Sequence, residues 1–385
     1  MRPRLLYLVT EDWAFLSHRL PMARAARDAG YEVHVATRVV DDGARIESEG
    51  FVLHRADWRR GSLNPWHMLT MALDLRRLYK RLKPDIVHSV AVVPVFASSI
   101  ASLGLPMAKL NALIGLGFIF TSDSFKARLI LPIFRRLMAL LIRQKGSTVL
   151  VQNADDEELV ARMGVPKDRI VLIPGSGVDI DRLIPLPEAA SDFTVGFVGR
   201  LLYDKGVETL VRAHERLAER GLQVYVLLAG TPDPANPSSV PQKTLDVWKT
   251  RKGLTFLGHV ANIEAVWAQA HVAVLPSRRE GLPKSLMEAA ACGRALIASD
   301  VPGCRAVCVP DVTGLLVPPD DPDALADAIE RLRADRDLRL RLGEGARHYV
   351  TDNLSSAQIG RTIVALYRKL LDADVKAGDR RDTSR

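Results

Sequence analysis

Two short stretches of the sequence hold four side chains able to grip a phosphorylated, polyhydroxylated ligand. In 194–206, TVGFVGRLLYDKG, an apolar strand pattern runs into Gly199-Arg200 and reaches Lys205-Gly206 where a helical pattern begins. A strand, a glycine turn and a helix N-terminus make a place for phosphate, because the unpaired amides of the first turn point at the anion. Arg200 and Lys205 add two cations suited to a diphosphate and to the charge that develops on it as it leaves. Taken alone, the stretch reads equally well as a surface turn with two solvated cations.

In 272–293, VAVLPSRREGLPKSLMEAAACG, an apolar strand ends at Pro276 and Glu280 follows in a loop with Gly281 and Pro283. Glu288 comes eight residues later, on the first turns of a helical pattern. Each carboxylate oxygen can accept from a sugar or ribose hydroxyl, so a pair at one corner suits a polyhydroxylated ligand. Either glutamate by itself would read as a solvated or helix-capping residue. That reading weakens for two of them placed around a buried strand-to-helix corner.

The elements that must position these groups alternate along most of the chain. Strand candidates are 4–10, 33–39, 51–56, 85–92, 108–114, 148–152 and 170–174, with helical patterns such as 18–29 and 66–82 between them. The alternation is interrupted at 181–192, DRLIPLPEAASD, where two prolines and little periodicity read as an interdomain linker. It resumes with strand candidates 194–199, 223–229, 254–257, 271–275, 295–299 and 314–317 and helices over 206–220, 262–269, 284–292 and 322–333. Strand, helix, strand, repeated, implies an α/β fold with parallel sheets covered on both faces. The expected domains are 1–182 and 183–355, with a last helix near 356–374 packing back on the first and a disordered tail over 375–385. Ligands of open α/β sheets bind at the carboxyl edge of the strands, so the active site is expected between the two domains.

Bulk properties narrow the partners. A length of 385 residues calls for two cores rather than one. The net charge of +8 and a pI near 9.5 favour an anionic partner. Aromatics are only 6% and no aromatic-basic RNA-binding pattern occurs, which argues against nucleic acid. Three cysteines, Cys292, Cys304 and Cys308, are odd in number and lack paired spacing, against a disulfide framework or zinc site and consistent with a reducing cytoplasm. The N-terminal apolar stretch in MRPRLLYLVTED is too short for a signal peptide, and no run of about 20 uncharged apolar residues is present to span a bilayer.

EGLPKSLME at 280–288 resembles the Glu, seven residues, Glu signature of retaining glycosyltransferase family four. GRLLYDKG at 199–206, IPGSGVD at 173–179, DVPGCRAV at 300–307 and GLLVPPDDPDAL at 314–325 are similar to further segments of that family. Several ordered motifs are more specific than one glycine pattern. The resemblance covers most of the chain and is dense from 148 to 350. It implies the GT-B architecture, two Rossmann-like doubly wound domains facing across a cleft. It also implies roles: Gly199, Arg200 and Lys205 at the donor diphosphate, Glu280 at the donor sugar's hydroxyls beside the anomeric carbon, and Glu288 at the ribose. Gly281, Leu282, Pro283, Lys284 and Ser285 become the loop whose backbone amides approach the phosphates. No metal and no cofactor is implied, arginine and lysine standing where other glycosyltransferases place a divalent ion. The implied retaining reaction is a front-face attack in which the departing phosphate takes the acceptor proton.

The resemblance places the acceptor on the N-terminal half. Many family members carry a histidine just after the strand equivalent to 108–113; here the region reads KLNALIGLGFIF, with Ile114-Gly115 at that place, so no histidine carries over. The GLG version resembles the subgroup acting on polyprenyl-diphosphate-linked sugars. GSLNPWHMLTMALDLRRLYKRLKPDIVHS at 61–89 and NPSS at 236–239 are similar to enzymes adding an N-acetylhexosamine to undecaprenyl-diphosphate sugars. The implied donor is a UDP-sugar such as UDP-N-acetylgalactosamine or UDP-N-acetylglucosamine. His18 and Arg19 fall where a helix starts after the first strand, a place for an anionic acceptor group, Arg19 reading otherwise as an exposed helix cation. Asp12 is either an acceptor-orienting group or a solvated loop carboxylate, and His88 reads as a satisfied core or cleft-edge histidine.

Residues 124–145, SFKARLILPIFRRLMALLIRQK, interleave Lys126, Arg128, Arg135, Arg136, Arg143 and Lys145 with apolar side chains, and Pro132 should break or kink the helix. Such a helix can lie on an anionic membrane, giving a cytoplasmic enzyme peripheral on the inner face, or pack on the core with its cations in water. Two alternatives remain. A sugar-nucleotide epimerase of the same architecture would convert donor without acceptor, and a non-catalytic paralogue would only bind. A NAD-dependent dehydrogenase is disfavoured because no G-x-G-x-x-G turn follows the first strand.

Overall fold

The computed structural model describes residues 2–57, 65–114, 134 and 136–382. The chain forms two compact units, Met1–Ser176 with Ala357–Arg385, and Gly177–Ser356.

The first unit is built on a sheet of seven strands: β1 (Arg4–Glu11), β2 (Glu32–Arg38), β3 (Val52–Arg55), β4 (Ile86–Val90), β5 (Ala108–Ala112), β6 (Ser147–Val151) and β7 (Ile170–Leu172). Their order is β3-β2-β1-β4-β5-β6-β7 and every pairing is parallel. Such a sheet is covered on both faces, which is why its inner strands read as nearly unbroken apolar runs. Alternate residues of β1 serve different layers. Leu5, Tyr7 and Val9 enter one core with the helix Leu20–Asp28 and the terminal helix Ser356–Asp382. Leu6 and Leu8 enter the other, with the helices Pro65–Leu82 and Val92–Ala101.

The second unit repeats the plan with six parallel strands: β8 (Thr194–Val198), β9 (Tyr225–Ala229), β10 (Leu254–Gly258), β11 (Val272–Leu275), β12 (Ala295–Ser299) and β13 (Gly314–Val317). Their order is β10-β9-β8-β11-β12-β13. In each sheet the connections reverse direction beside the first strand, between β1 and β4 and between β8 and β11. The loops leaving these strand pairs diverge, and the crevice at such a switch point is where open α/β sheets bind ligands.

The structure differs from expectation at the junctions. The first stretch of the first unit ends at Ser176, where the sequence suggested a boundary at 182 and 183. The proline-containing segment 181–192 is strapped to the second unit by arginines. Arg294 donates to the carbonyls of Leu186 and Pro187, Arg347 to those of Ile180 and Leu183, and Arg336 and Arg339 grip the Glu188 carboxylate. The crossing itself uses Gly177, at φ 73, where an added Cβ would stand 2.7 Å from the backbone of Ser356. The terminal helix extends to Asp382, past the 374 expected, and its first half packs in the first unit through Ile359, Ile363 and Tyr367. The Tyr367 hydroxyl lies 2.7 Å from both the Tyr7 hydroxyl and His88 Nδ1, which joins this helix to the centres of β1 and β4. Among the described residues no helix is long and apolar enough to cross a membrane.

Candidate functional site

The switch point of the second unit is assembled by glycines at close backbone approaches. β8 is followed by Gly199, whose carbonyl oxygen would stand only 1.9 Å from a Cβ on Gly230. Arg200 follows, then a short 3-10 turn over Tyr203–Lys205 and Gly206 at φ 70. A Cβ on Gly206 would sit 1.9 Å from the Pro276 carbonyl oxygen, so only glycine lets the helix Val207–Glu219 begin against the end of β11. That contact places Lys205 beside the loop carrying Glu280.

Lys205 Nζ donates to Glu280 Oε1 at 2.5 Å, and Ser277 Oγ donates to the same oxygen at 2.8 Å. The Glu280 carboxylate is only 7% exposed, so both bonds act where water screens little. One oxygen takes both donors, which leaves Oε2 to accept from a ligand hydroxyl. The loop is backed from behind by the turn at Gly303, where a Cβ would lie 2.5 Å from the carbonyl oxygens of Glu280 and Gly281. Beside it, Arg278 is tied to Asp320 at 2.8 Å and donates its amide to the Asp204 carbonyl.

Arg200 is oriented differently, by Asp233 Oδ2 at 2.6 Å. Asp233 stands in the 231–241 loop, which is laced to the Arg200–Lys205 turn. Tyr203 N donates to the Ser238 carbonyl, Asp204 N to Ser238 Oγ, Leu201 N to the Thr231 carbonyl and Asp233 N to Ser239 Oγ. The Asn-Pro-Ser-Ser stretch thus scaffolds the two cations.

Gly281, Leu282 and Pro283 lead into the helix Lys284–Ala291, with Pro283 as its N-cap and Ser285 in its first turn. Glu288 lies one turn from Lys284, whose Nζ approaches Glu288 Oε1 at 3.5 Å. Burial raises the Glu288 carboxyl above the ordinary glutamate range, and Lys284 only partly offsets it. All the donor-side residues named from sequence therefore belong to one unit and to the loops and helix starts on the carboxyl side of β8 and β11. Lys205 and Glu280 touch directly, while Arg200 and Glu288 are each held by another partner. Sequence reasoning missed Ser277, Asp233 and the supporting role of Gly303; the serine directly after the strand-ending proline was the one local signal.

The acceptor-side residues separate. Asp12, directly after β1 and at the start of the helix Asp12–His18, is buried and accepts the amides of Val40, Asp41 and Asp42 on Oδ2 and that of Trp13 on Oδ1. Burial works to raise its carboxyl, but these four amides together hold it below the usual range. With both oxygens committed, Asp12 clamps the loop after β2. His18 is exposed at the end of the helix Asp12–His18, whereas Arg19 is buried at the start of the next helix. Burial pushes the Arg19 guanidinium down to about 10, and its Nε has no hydrogen-bond partner among the described residues. This departs from the exposed helix cation that is one of its sequence readings. His88 is buried with Nδ1 on Tyr367, and burial drives it well below the ordinary histidine range.

Gly115, Lys126, Arg128, Pro132 and Arg135 lie outside the described residues, so most of the basic apolar segment does too. Arg136, Arg143 and Lys145 are described and exposed. Among the described residues no group of three histidine, cysteine, aspartate or glutamate side chains is placed to hold a metal ion.

Comparison with known proteins bears on both units. Residues 192–335 match the model of glycosyl transferases group 1, and residues 4–153 match that of glycosyl transferase 4-like proteins. The chain is 26% identical, over 94% of its length and 98% of the relative's, to the N,N'-diacetylbacillosaminyl-diphospho-undecaprenol alpha-1,3-N-acetylgalactosaminyltransferase of Campylobacter jejuni. It is 34% identical, over half of each chain, to alpha-maltose-1-phosphate synthase of Mycolicibacterium smegmatis. The fold is shared with sucrose-phosphate synthase of Thermosynechococcus elongatus at a TM-score of 0.80, 23% identity and coverage of 97% of this chain and 100% of that one. It is likewise shared with Anabaena HepE in complex with UDP and glucose, at a TM-score of 0.78, 17% identity and coverage of 94% and 99%.

Proposed function

Because this chain belongs to the glycosyltransferases, one half matching the group 1 model and the other the 4-like model, we propose that it moves a hexose or N-acetylhexosamine from a UDP-sugar to a polyprenyl-diphosphate-linked glycan acceptor. The observation that carries the reading is the Lys205–Glu280–Ser277 cluster at the switch point of the second sheet. It joins a cation for the leaving diphosphate to a carboxylate with one oxygen reserved for a sugar hydroxyl. The relative acting on an undecaprenol-linked sugar, similar over nearly the whole chain, supports the acceptor class, and the solved Anabaena relative with bound UDP supports the base.

In this reading Gly199, Arg200 and Lys205 hold the diphosphate, with Arg200 exchanging part of its bond to Asp233 for a phosphate oxygen. The amides of Gly281, Leu282, Lys284 and Ser285 approach the same group, and Pro283, which has no amide hydrogen, shapes the turn. Glu288 accepts from the ribose. Charge developing on the leaving group is met by fixed cations, so no metal and no other cofactor is required. The acceptor hydroxyl attacks the anomeric carbon from the face the diphosphate leaves. The C–O bond to the diphosphate breaks as the new glycosidic bond forms, the diphosphate takes the proton, and the configuration is retained. His18 and Arg19 are the anion-holding candidates for the acceptor. The enzyme works at the inner face of the cytoplasmic membrane, where a lipid-linked acceptor resides.

The test is a screen of the purified full chain against UDP- and GDP-sugars with a polyprenyl-diphosphate-sugar acceptor, read by mass. A product heavier by one sugar, unchanged by a chelator and of retained anomeric configuration by NMR, is expected. Conversion of donor without acceptor would make the chain an epimerase. Binding without any turnover would leave a non-catalytic paralogue. Loss of transfer on chelation, or an inverted product, would remove the corresponding part of the mechanism.

A further inference from the structure

The helix Pro65–Leu82 buries Met68, Met71, Ala72, Leu75 and Tyr79 against the first sheet. Its outward face breaks the usual pattern. At 100° per residue, Trp66, Leu69, Leu73, Arg77 and Lys80 fall within about a quarter of the helix circumference. All five are exposed. Trp66 is 77% exposed, Leu69 45% and Leu73 47%, where a water-facing helix would place charge. The face is graded along its length. Its first half offers an indole and two leucines, and its second half offers Arg77, Lys80 and Arg81. The acid on this side, Asp74, is paired with Arg77 at 2.7 Å, so the face stays net cationic. Exposed Leu137 and Leu140 flank Met138, which is buried in the same core layer, and exposed Arg136 and Arg143 stand near them in sequence.

We propose that the outward face of helix Pro65–Leu82 docks on an anionic phospholipid bilayer. Trp66, Leu69 and Leu73 enter the boundary between headgroups and acyl chains, and Arg77, Lys80 and Arg81 meet lipid phosphates. The combination selects this occupant. Indole and leucine suit the boundary between headgroups and acyl chains, and the cationic flank suits the phosphates of an anionic leaflet. A second copy of the chain fits worse. A two-fold contact through this face would bring like cations together, and three apolar side chains fall far short of the roughly 800 Å² per partner of a stable interface. The proposal deepens the peripheral-membrane part of the function proposed above and assigns the contact to a helix outside the basic segment 124–145.

The experiment is flotation of the full chain with vesicles of phosphatidylcholine alone and of phosphatidylcholine mixed with phosphatidylglycerol. The wild type floats with the mixed vesicles and not with the neutral ones, and salt weakens the binding. Trp66→Ala with Leu69→Ser and Leu73→Ser lowers partitioning by about tenfold or more, with an unchanged melting temperature. Arg77→Gln with Lys80→Gln and Arg81→Gln lowers it on mixed vesicles alone. Wild type that does not float, or triple variants that float equally well, would overturn the assignment. So would a dimer in solution that the apolar triple variant converts to monomer while vesicle binding persists. Should that variant fail to fold, quenching of wild-type fluorescence by brominated phosphatidylglycerol, lost in Trp66→Phe, reads the same contact. Flotation needs neither donor nor acceptor, so a failure of sugar transfer and a failure of docking are separate results.

Discussion

Glu280 shares a single carboxylate oxygen between Lys205 Nζ and Ser277 Oγ, so its geometry depends on its charge as well as its shape. Glu280→Ala should lower kcat about 100-fold or more, the scale of losing one preorganised polar contact in a reaction centre. Glu280→Gln keeps the size but weakens the bond from Lys205, and should fall between Ala and wild type. The check is initial-rate kinetics alongside circular dichroism; near-normal transfer by folded Glu280→Ala removes the residue from the chemistry. Glu288 makes a second prediction, of opposite sign for stability and function. Burial raises its carboxyl above the ordinary glutamate value of 4.5, so the folded chain holds the proton more tightly than the unfolded one. Ionisation therefore weighs on the fold above the raised value, and the effect fades as pH falls towards 4.5. Glu288→Gln should melt higher than wild type at neutral pH, converge with it in acid, and bind UDP more weakly. A melting difference that does not change with pH would break this account.

Elements set these residues in place, and the support comes from chain far away in sequence. Gly303 backs the Glu280 loop with no room for a methyl group, since a Cβ would lie 2.5 Å from two carbonyl oxygens. Gly303→Ala should cost about 1–3 kcal/mol of stability by overpacking. It should also cost roughly tenfold or more in kcat, because sub-ångström displacement of a reacting group is enough to slow chemistry. Normal rates in the folded variant would show that the loop is not held from behind. This dependence explains what was legible in the sequence. The thirteen strands could be read because buried parallel strands are short apolar runs, and the two site corners because each is a strand meeting glycine and then a helix. Asp233 and Gly303 could not, since nothing local marks them as partners of distant residues, 33 positions away in the case of Arg200 and Asp233; Ser277 had only its place after the strand-ending proline to mark it. The helix Arg336–Asn353 was hidden for another reason. Its sequence carries two glycines and many charges, so its buried row of Leu338, Leu342, Ala346 and Val350 is narrow, with Gly343 set closely on the Gly293 carbonyl beside it. The segment 181–192 looked like a linker because its order comes from arginines at 294, 336, 339 and 347 and not from its own periodicity.

At the scale of the whole chain, the two units differ in how they are sewn. The second is one continuous stretch, Gly177–Ser356, and among the described residues its core runs from Val178 to Leu354 with no member from outside it. The first needs two stretches, because Ile359, Ile363, Val364, Leu366 and Tyr367 complete the layer over β1 and β4. Removing 357–385 would uncover these apolar partners. It would also strip Tyr367 from the Tyr7 hydroxyl and His88 Nδ1, leaving polar atoms buried without partners at roughly 1–3 kcal/mol each. The fragment 177–356 should therefore fold cooperatively on its own and bind UDP through Arg200, Lys205 and Glu288, while 1–176 alone should aggregate or unfold. Adding a peptide of 356–382 to the latter should restore part of its structure, since the terminal helix is what that unit lacks. Urea unfolding and calorimetric titration of the separate pieces decide the matter. A stable 1–176, or a folded 177–356 with no affinity for UDP, would mean that the terminal helix is dispensable or that the nucleotide is not held by the second unit alone.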